Sequence, residues 1–308
     1  MPSIFTSATR EAERLHTLDT YFIVAALGVF LLVAFLTVYY TVKYRSRYDG
    51  YEPEQTSSNL KLESVMIAGP ALLVGFFFYL TIHTTRAVLP AAGAATPAVV
   101  VTGHQWWWQA TYPGTTVETA NEIHLPTGRR LLIKGTAADV IHDWWVPAFG
   151  EKMDVLPGRS NHVWVTIKEP GVYEGACNEF CGQQHAWMRI RVVAHAPADY
   201  ARWLAASARP AAPPTGAVAQ QGAALFAHYA CAECHQIRGT LANGHQGPDL
   251  THFGSRRTML AGLLPNNPDN LRRWLTNPQA VKPGAHMPRF IFGRDTIQAL
   301  TTYLTQLR

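Results

Sequence analysis

The residues Cys177-Asn-Glu-Phe-Cys181-Gly-Gln-Gln-His185-Ala-Trp-Met188 have the types and spacing of a metal loop. Two cysteines stand four apart, a histidine follows four further on, and a methionine three beyond that. Thiolate, imidazole and thioether together suit copper better than any hard cation. Two thiolates in one loop can also bridge two metal ions, which a single-cysteine copper site cannot do. The chemistry of such a cluster is electron transfer. A zinc site of two cysteines and two histidines is the rival, and it leaves Met188 without a purpose.

A second constellation lies downstream. Cys231-Ala-Glu-Cys234-His235 is the CxxCH signature of a covalently attached c-type haem. Two thioethers hold the macrocycle, and the adjacent histidine reaches the iron from one face. No second CxxC exists to complete a zinc site. The opposite face needs another ligand, and Pro283-Gly-Ala-His286-Met287-Pro offers two candidates. Methionine is usual in electron-transfer haems and raises the reduction potential, so Met287 is preferred. Met259 is the alternative and reads better as a core residue.

These groups need elements to hold them. The chain has 308 residues, 48% of them hydrophobic and only 15% charged, which leans toward a protein partly in a membrane. The net charge of +5 comes with no long basic run, so nucleic acid binding has no support. The four cysteines fall into the two motif pairs, and no structural disulfide is expected.

Tyr21 to Val42 and Ser64 to Ile82 carry no charge, and at 22 and 19 residues each can cross a bilayer as a helix. Lys43, Arg45, Arg47 and Lys61 lie between them. The positive-inside rule puts that connection in the cytoplasm and both chain ends outside. A signal peptide fits poorly, because the run is long and lacks a small-residue cleavage site. Glu63 borders the second span, seven residues before Pro70. From the residues alone it reads as a solvated helix end; the other reading is a proton entry point.

Beyond Ala91–Ala98, a flexible joint, short β-rich runs appear at Val99–Val101, Arg130–Lys134, His162–Ile167 and Met188–Val193. Gly and Pro punctuate them, as in a small β-sandwich or barrel closed by a helix at Asp199–Ser207. Trp106-Trp107-Trp108, read as a strand, should place at least one ring inside and one outside. Arg209–Gly216 is a Pro/Ala-rich linker, semi-rigid and extended. The pattern then turns helical at Val218–Tyr229 and Asn270–Thr276, with a capping box at Asp295–Gln298 opening a last helix whose Ile297, Leu300 and Leu304 share a face. Gly222 and Phe226 mark either a close crossing of first and last helices or plain core.

With both motifs placed, the chain resembles subunit 2 of cytochrome c oxidase, in the bacterial caa-type form with a C-terminal c-type cytochrome. Gly103-His-Gln-Trp-Trp-Trp108 looks like that family's aromatic strand. Val140-Ile-His142-Asp-Trp-Trp-Val-Pro147 and Lys152-Met-Asp154-Val-Leu-Pro-Gly158 look like the region of its first copper histidine. The resemblance implies a multidomain chain: a transmembrane two-helix hairpin in 1–90 (spans about 21–42 and 64–82), an all-β cupredoxin-like CuA domain in 96–207, a linker in 208–217, and an all-α class I cytochrome c domain in 218–308.

It further implies that the dinuclear copper centre, CuA, is held by His142, Cys177, Cys181, His185, Met188 and the backbone carbonyl of Glu179. The Glu179 side chain would reach a magnesium ion shared with subunit 1. Covalent haem c would be carried by Cys231, Cys234, His235 and Met287. Glu63 would stand at the mouth of a proton channel and Trp106 on the electron entry path, a role the tethered haem could replace. Met66 stands where the family commonly has tryptophan. Subunits 1 and 3 would be partners, and cytochrome c or a quinol-oxidising complex the donor, in a bacterial inner membrane with both outer domains on the periplasmic side.

His142 is preferred over His124 and His162 because it precedes an aromatic-Pro turn. Asp154 reads equally as an orienting acid or a solvated turn residue. Two other functions use the same motifs: the electron-delivery subunit of a CuA-containing nitric oxide reductase, and a membrane-tethered copper carrier or redox sensor. The chain lacks a histidine-rich multi-span core, so oxygen reduction would need a separate subunit.

Overall fold

The structure, a computed structural model, describes residues 6–45, 55 and 57–308. Arg47, one of the connecting cations, lies outside the described residues. The chain divides into two compact units, Glu13–Pro90 and the remainder.

The first unit is a helical hairpin of α1 (Arg10–Lys43) and α2 (Leu60–Val88). Both helices outrun their uncharged stretches, because the flanking polar residues are themselves good helix formers. Phe22 and Phe77 meet edge to face at 5.3 Å, and Arg14 donates to the Ala87 carbonyl at 3.4 Å. Both helices are long and apolar enough to cross a membrane, and large side chains such as Phe30 and Leu72 stand exposed along them. Apolar surface of that extent is unfavourable in water and calls for lipid or a partner. At the start of α2 the Asn59 side chain accepts from the Leu62 amide at 3.1 Å. Glu63 accepts from the Asn59 amide at 3.0 Å, so its carboxylate also caps the helix.

The second unit begins with a β-sandwich. Its strands are β1 (Val99–His104), β2 (Trp107–Thr111), β3 (Glu118–Ala120), β4 (Glu122–Pro126), β5 (Leu131–Ala137), β6 (His142–Trp145), β7 (Lys152–Val155), β8 (Asn161–Val165), β9 (Gly171–Cys177) and β10 (Arg189–His195). They form two five-stranded sheets, ordered β3-β2-β1-β5-β8 and β4-β10-β9-β6-β7. The β1–β5 and β4–β10 pairs are parallel. Trp108, Trp144, Phe149, Ile123, Ile133 and Ile190 fill the space between the sheets. Each contributes roughly 1.5–3 kcal/mol by leaving water.

The three consecutive tryptophans differ from expectation: none is exposed, at 9%, 9% and 0% for Trp106, Trp107 and Trp108. Strand alternation fails because Trp106 lies in the turn before β2. Trp107 is covered instead by stacking on His104 at 4.3 Å.

The sandwich is closed by α3 (Pro197–Ser207). Its Trp203 stacks on His124 at 4.1 Å, and His124 Nδ1 lies 2.8 Å from His195 Nε2. Burial, and then His195, hold the His124 pKa down at about 3. Between the ordinary histidine range and that value, the unfolded chain binds a proton that folded His124 refuses. Stability is therefore lost as pH falls through this window. His124→Phe should unfold at a melting temperature that drops less from pH 7 to pH 4 than the parent's. Equal drops would contradict this.

After α3, residues 208–216 take no regular structure but are tied down. The Ala211 amide donates to Arg238 O at 2.9 Å, and the Thr215 amide to Gln306 at 2.9 Å. The helical part follows, with α4 (Ala217–His228), α5 (Cys231–Cys234), the ribbon β11 (Thr258–Met259) and β12 (Leu264–Pro265), α6 (Pro268–Thr276), α7 (Pro278–Val281) and α8 (Arg294–Gln306). First and last helices cross tightly at Gly222: a Cβ there would overlap the Ala299 carbonyl. Phe226 meets Tyr303 edge to face at 6.0 Å in the same crossing. Leu300 and Leu304 are buried on this face, and Ile297 packs beside them. The capping box at Asp295 does not form. Gly293 is the N-cap, without side-chain capping, so the helix starts earlier and Asp295 sits in its first turn, where a carboxylate complements the helix dipole.

Candidate functional site

β6 and β9 lie side by side, with Trp144 opposite Cys177, and this brings His142 and Cys177 to one end of the sandwich. The loop after β9 closes back on itself. The Cys177 amide donates to Met188 O at 2.9 Å, and the His185 amide to Gly182 O at 3.0 Å. The sulfurs of Cys177 and Cys181 are 3.7 Å apart. Around them stand His142 Nδ1, 3.9 Å from Cys177, and His185 Nδ1, 3.6 Å from Cys181. Met188 Sδ lies 3.8 Å from Cys181, and the Glu179 carbonyl 3.2 Å from Cys177. The fold thus gathers every residue that the sequence nominated for copper. His142, Cys177 and Cys181 are buried, with ligand atoms within 4.8 Å of one another. His124 and His162 lie elsewhere, on β4 and β8. Asp154 is an exposed strand residue opposite Asp143.

Two neighbours set His142 and were not visible in the sequence. Asp139 Oδ1 is 2.8 Å from His142 Nε2, which leaves Nδ1 turned to the sulfurs. Asp139 is itself held by the Gln105 amide at 2.6 Å and the Val140 amide at 2.7 Å. Gly103 is the second: a Cβ there would lie 2.8 Å from His142 Cδ2. Gly103→Ala is therefore expected to push the ring off its position and weaken copper binding by about 10- to 100-fold. A copper titration followed by absorption reads this, and parent-like affinity would contradict it.

The sulfurs are electrostatically unequal. The hydrogen bond with Cys181 draws the Cys177 pKa down, and the same bond pushes that of Cys181 up. A soft cation held between these two buried sulfurs satisfies both. Two sulfurs, two imidazoles, a thioether and a carbonyl fit a pair of copper ions in donor type and number.

The CxxCH motif borders a cavity of about 350 Å³. Cys231, Cys234 and His235 line it, with Met259 and Met287 both in its wall. His235 Nδ1 lies 2.8 Å from the Pro248 carbonyl. Donation of the Nδ1 proton there leaves Nε2 as the basic atom. Burial lowers the His235 pKa and favours the neutral ring. Gly247 makes room for the ring, since a Cβ would come 2.5 Å from His235 Cε1. Arg256 also lines the cavity; its buried Nε has no hydrogen-bond partner among the described residues. A cavity with two thiols, a neutral imidazole, two thioethers and a buried guanidinium fits an anionic porphyrin.

Fold and sites define a class: a cupredoxin-like sandwich joined to a cytochrome c domain and preceded by a helical hairpin. Residues 114–195 match the family described as "Cytochrome C oxidase subunit II, periplasmic domain", and residues 219–308 match "Cytochrome c". The chain is 34% identical over 273 residues to cytochrome c oxidase subunit 2 of Alkalihalophilus pseudofirmus, covering 86% of this chain and 79% of that one. It is 32% identical over 276 residues to the same subunit of Bacillus sp. strain PS3, covering 83% and 77%. The crystal structure of the periplasmic domain of subunit II of cytochrome oxidase of Bradyrhizobium japonicum is 31% identical, with a TM-score of 0.36, over 38% of this chain and 96% of that one. The chain belongs to the cytochrome c oxidase subunit 2 family, and with it to the subunits of a haem-copper oxidoreductase.

Proposed function

We propose that the chain is the electron-entry subunit of a proton-translocating respiratory cytochrome c oxidase. Electrons from an outside donor would reach the cytochrome part, pass to the copper loop, and leave for a separate subunit 1 that reduces oxygen. The observation that carries this reading is the convergence of His142, Cys177, Glu179 O, Cys181, His185 and Met188 in one closed loop.

When bound, copper and haem supply the one-electron redox chemistry. The chain's own residues decide how little moves around it. Cys177 and Cys181 offer two thiolates on a loop whose ends are hydrogen-bonded together. Asp139 holds His142 in one orientation, and buried Met188 keeps water out. A rigid, dry donor set of this kind reorganises little when charge changes. His235, whose Nδ1 bond to Pro248 leaves Nε2 basic, would hold the haem iron on one side, and Met287 would be preferred to Met259 for the other.

Glu179 turns its carbonyl to Cys177 while its side chain is exposed. That carboxylate is free to meet a magnesium ion. Magnesium requires octahedral oxygen coordination, so the remaining ligands would come from subunit 1 and water. Glu63, at the head of α2, would admit protons to the partner while its carboxylate also caps the helix. Trp106 Nε1 donates to the Cys181 carbonyl at 3.0 Å, which supports a place on the electron path. Lys43, Arg45 and Lys61 beside the two helices favour a cytoplasmic connection, with the copper and haem parts periplasmic.

Purification of the intact complex from membranes tests the reading. A haem-copper subunit should travel with the chain, and the complex should consume oxygen. Recovery of the chain alone with labile copper would favour a carrier. Turnover with nitric oxide but not oxygen would favour a nitric oxide reductase.

A further inference from the structure

Both ligand-bearing parts belong to one compact unit, and one loop carries the part of their seam that faces the copper-type loop. Asn277 caps α7 by accepting from the Ala280 amide at 3.2 Å. Gln279 then staples the chain beyond it. Its amide donates to Ala285 O at 2.7 Å and to Met287 O at 3.3 Å, and its carbonyl oxygen accepts from the Gly284 amide at 2.9 Å. Residues 282–287 are thus one rigid piece with Lys282 at its start and Met287 at its end.

Lys282 is 5% exposed, and its Nζ donates to the backbone carbonyl of Trp106 at 3.0 Å. The Trp106 indole in turn holds the Cys181 carbonyl. Gln184, in the copper-type loop, donates to the Pro283 carbonyl, and His286 lays its ring 5.0 Å from that of Trp106. A second clasp lies on the same seam. Buried Glu122 accepts from the amides of Arg257 and Thr258, both at 2.9 Å, and from the Thr258 hydroxyl at 3.0 Å. A buried ammonium is costly unless it is hydrogen-bonded near negative charge. Here the Trp106 carbonyl accepts from Lys282.

We propose that Lys282 is a latch that seats the cytochrome part on Trp106 and the copper-type loop, so that this chain carries a permanently docked internal donor. The seat covers the Trp106 face. An outside donor protein therefore addresses the cytochrome part and does not reach Trp106 directly. Lys282 is a positioning residue: it fixes the distance between the Met287 side of the haem cavity and Cys181, and touches neither group's reacting atoms. The inference rests on the electron-entry reading for its purpose, but the seat itself can be tested apart from it.

Two measurements on the full chain in its complex decide it. Hydroxyl-radical footprinting of the unsubstituted protein should label Trp106 far more slowly than Trp187, which is 40% exposed; equal labelling overturns the latch. Lys282→Met keeps the apolar stem and removes the donor. It should slow internal haem-to-copper transfer by about tenfold or more, as expected for loss of one charged hydrogen bond. It should also raise amide exchange in residues 103–109 and 279–288, with both metal spectra unchanged. Unchanged transfer and unchanged exchange overturn the proposal. Absence of copper or haem spectra in the parent protein would instead count against the electron-entry reading, and the footprint would still report the seat.

Discussion

Cys181→Ser is expected to abolish the two-copper site. In the folded loop Cys181 is the hub: its sulfur lies within 3.6–3.8 Å of Cys177, His185 and Met188. An alcohol oxygen is a harder, far less acidic donor than a thiol, and it does not bridge two soft cations. The variant should hold at most a single copper on the remaining Cys177 and His142, and lose the charge delocalisation that two sulfurs permit. Electron delivery to subunit 1 should fall by several orders of magnitude, while haem attachment through Cys231 and Cys234 is unaffected. Copper analysis together with the electron-spin spectrum checks this. A parent-like spectrum would mean that Cys181 is a core cysteine.

Met287→Ala is expected to leave the haem attached and to change its iron. Removing a thioether ligand lowers the reduction potential, because sulfur stabilises the reduced metal. The lower potential makes the haem harder to reduce, so its reduction by an outside donor should slow strongly while the copper spectrum stays as in the parent. Met259 is the control. It also lines the cavity but is only 4% exposed within the core, so Met259→Ala should cost about 2–5 kcal/mol of stability and leave the potential nearly unchanged. The reverse outcome would transfer the axial role to Met259.

Much of this architecture was legible because its signals are local. The apolar runs, the CxxCH motif and the Cys-Cys-His-Met loop each lie within a short stretch. The helix expected at Asn270–Thr276 is present, while Gly222 and Phe226 left crossing and plain core equally open until the fold showed the crossing. What escaped is non-local. Asp139 is an ordinary turn acid until the fold swings it to His142 Nε2. Gly103 reads as strand punctuation until the His142 ring arrives against it. Lys282 and Gln279 reveal themselves only once the helical part is set against Trp106. The same seam adds to the turn at Trp106 in explaining one failure of pattern. Alternation called for an exposed ring in Trp106–Trp108, but His286 and Lys282 cover Trp106 and the helical part borders Trp107. The Asp295 capping box failed for a simpler reason: Gly293 opened the helix first.

The central claim is that neighbouring cysteines hold a copper pair beside a covalently attached haem in one chain. Metal analysis of the fully loaded, purified protein tests it most directly when done alongside the low-temperature electron-spin spectrum of the copper. The expected result is twice as much chain-bound copper as c-type haem iron, with the unpaired spin shared equally by two copper nuclei. Equal copper and haem iron, zinc in place of copper, or a spectrum localised on one nucleus would contradict it.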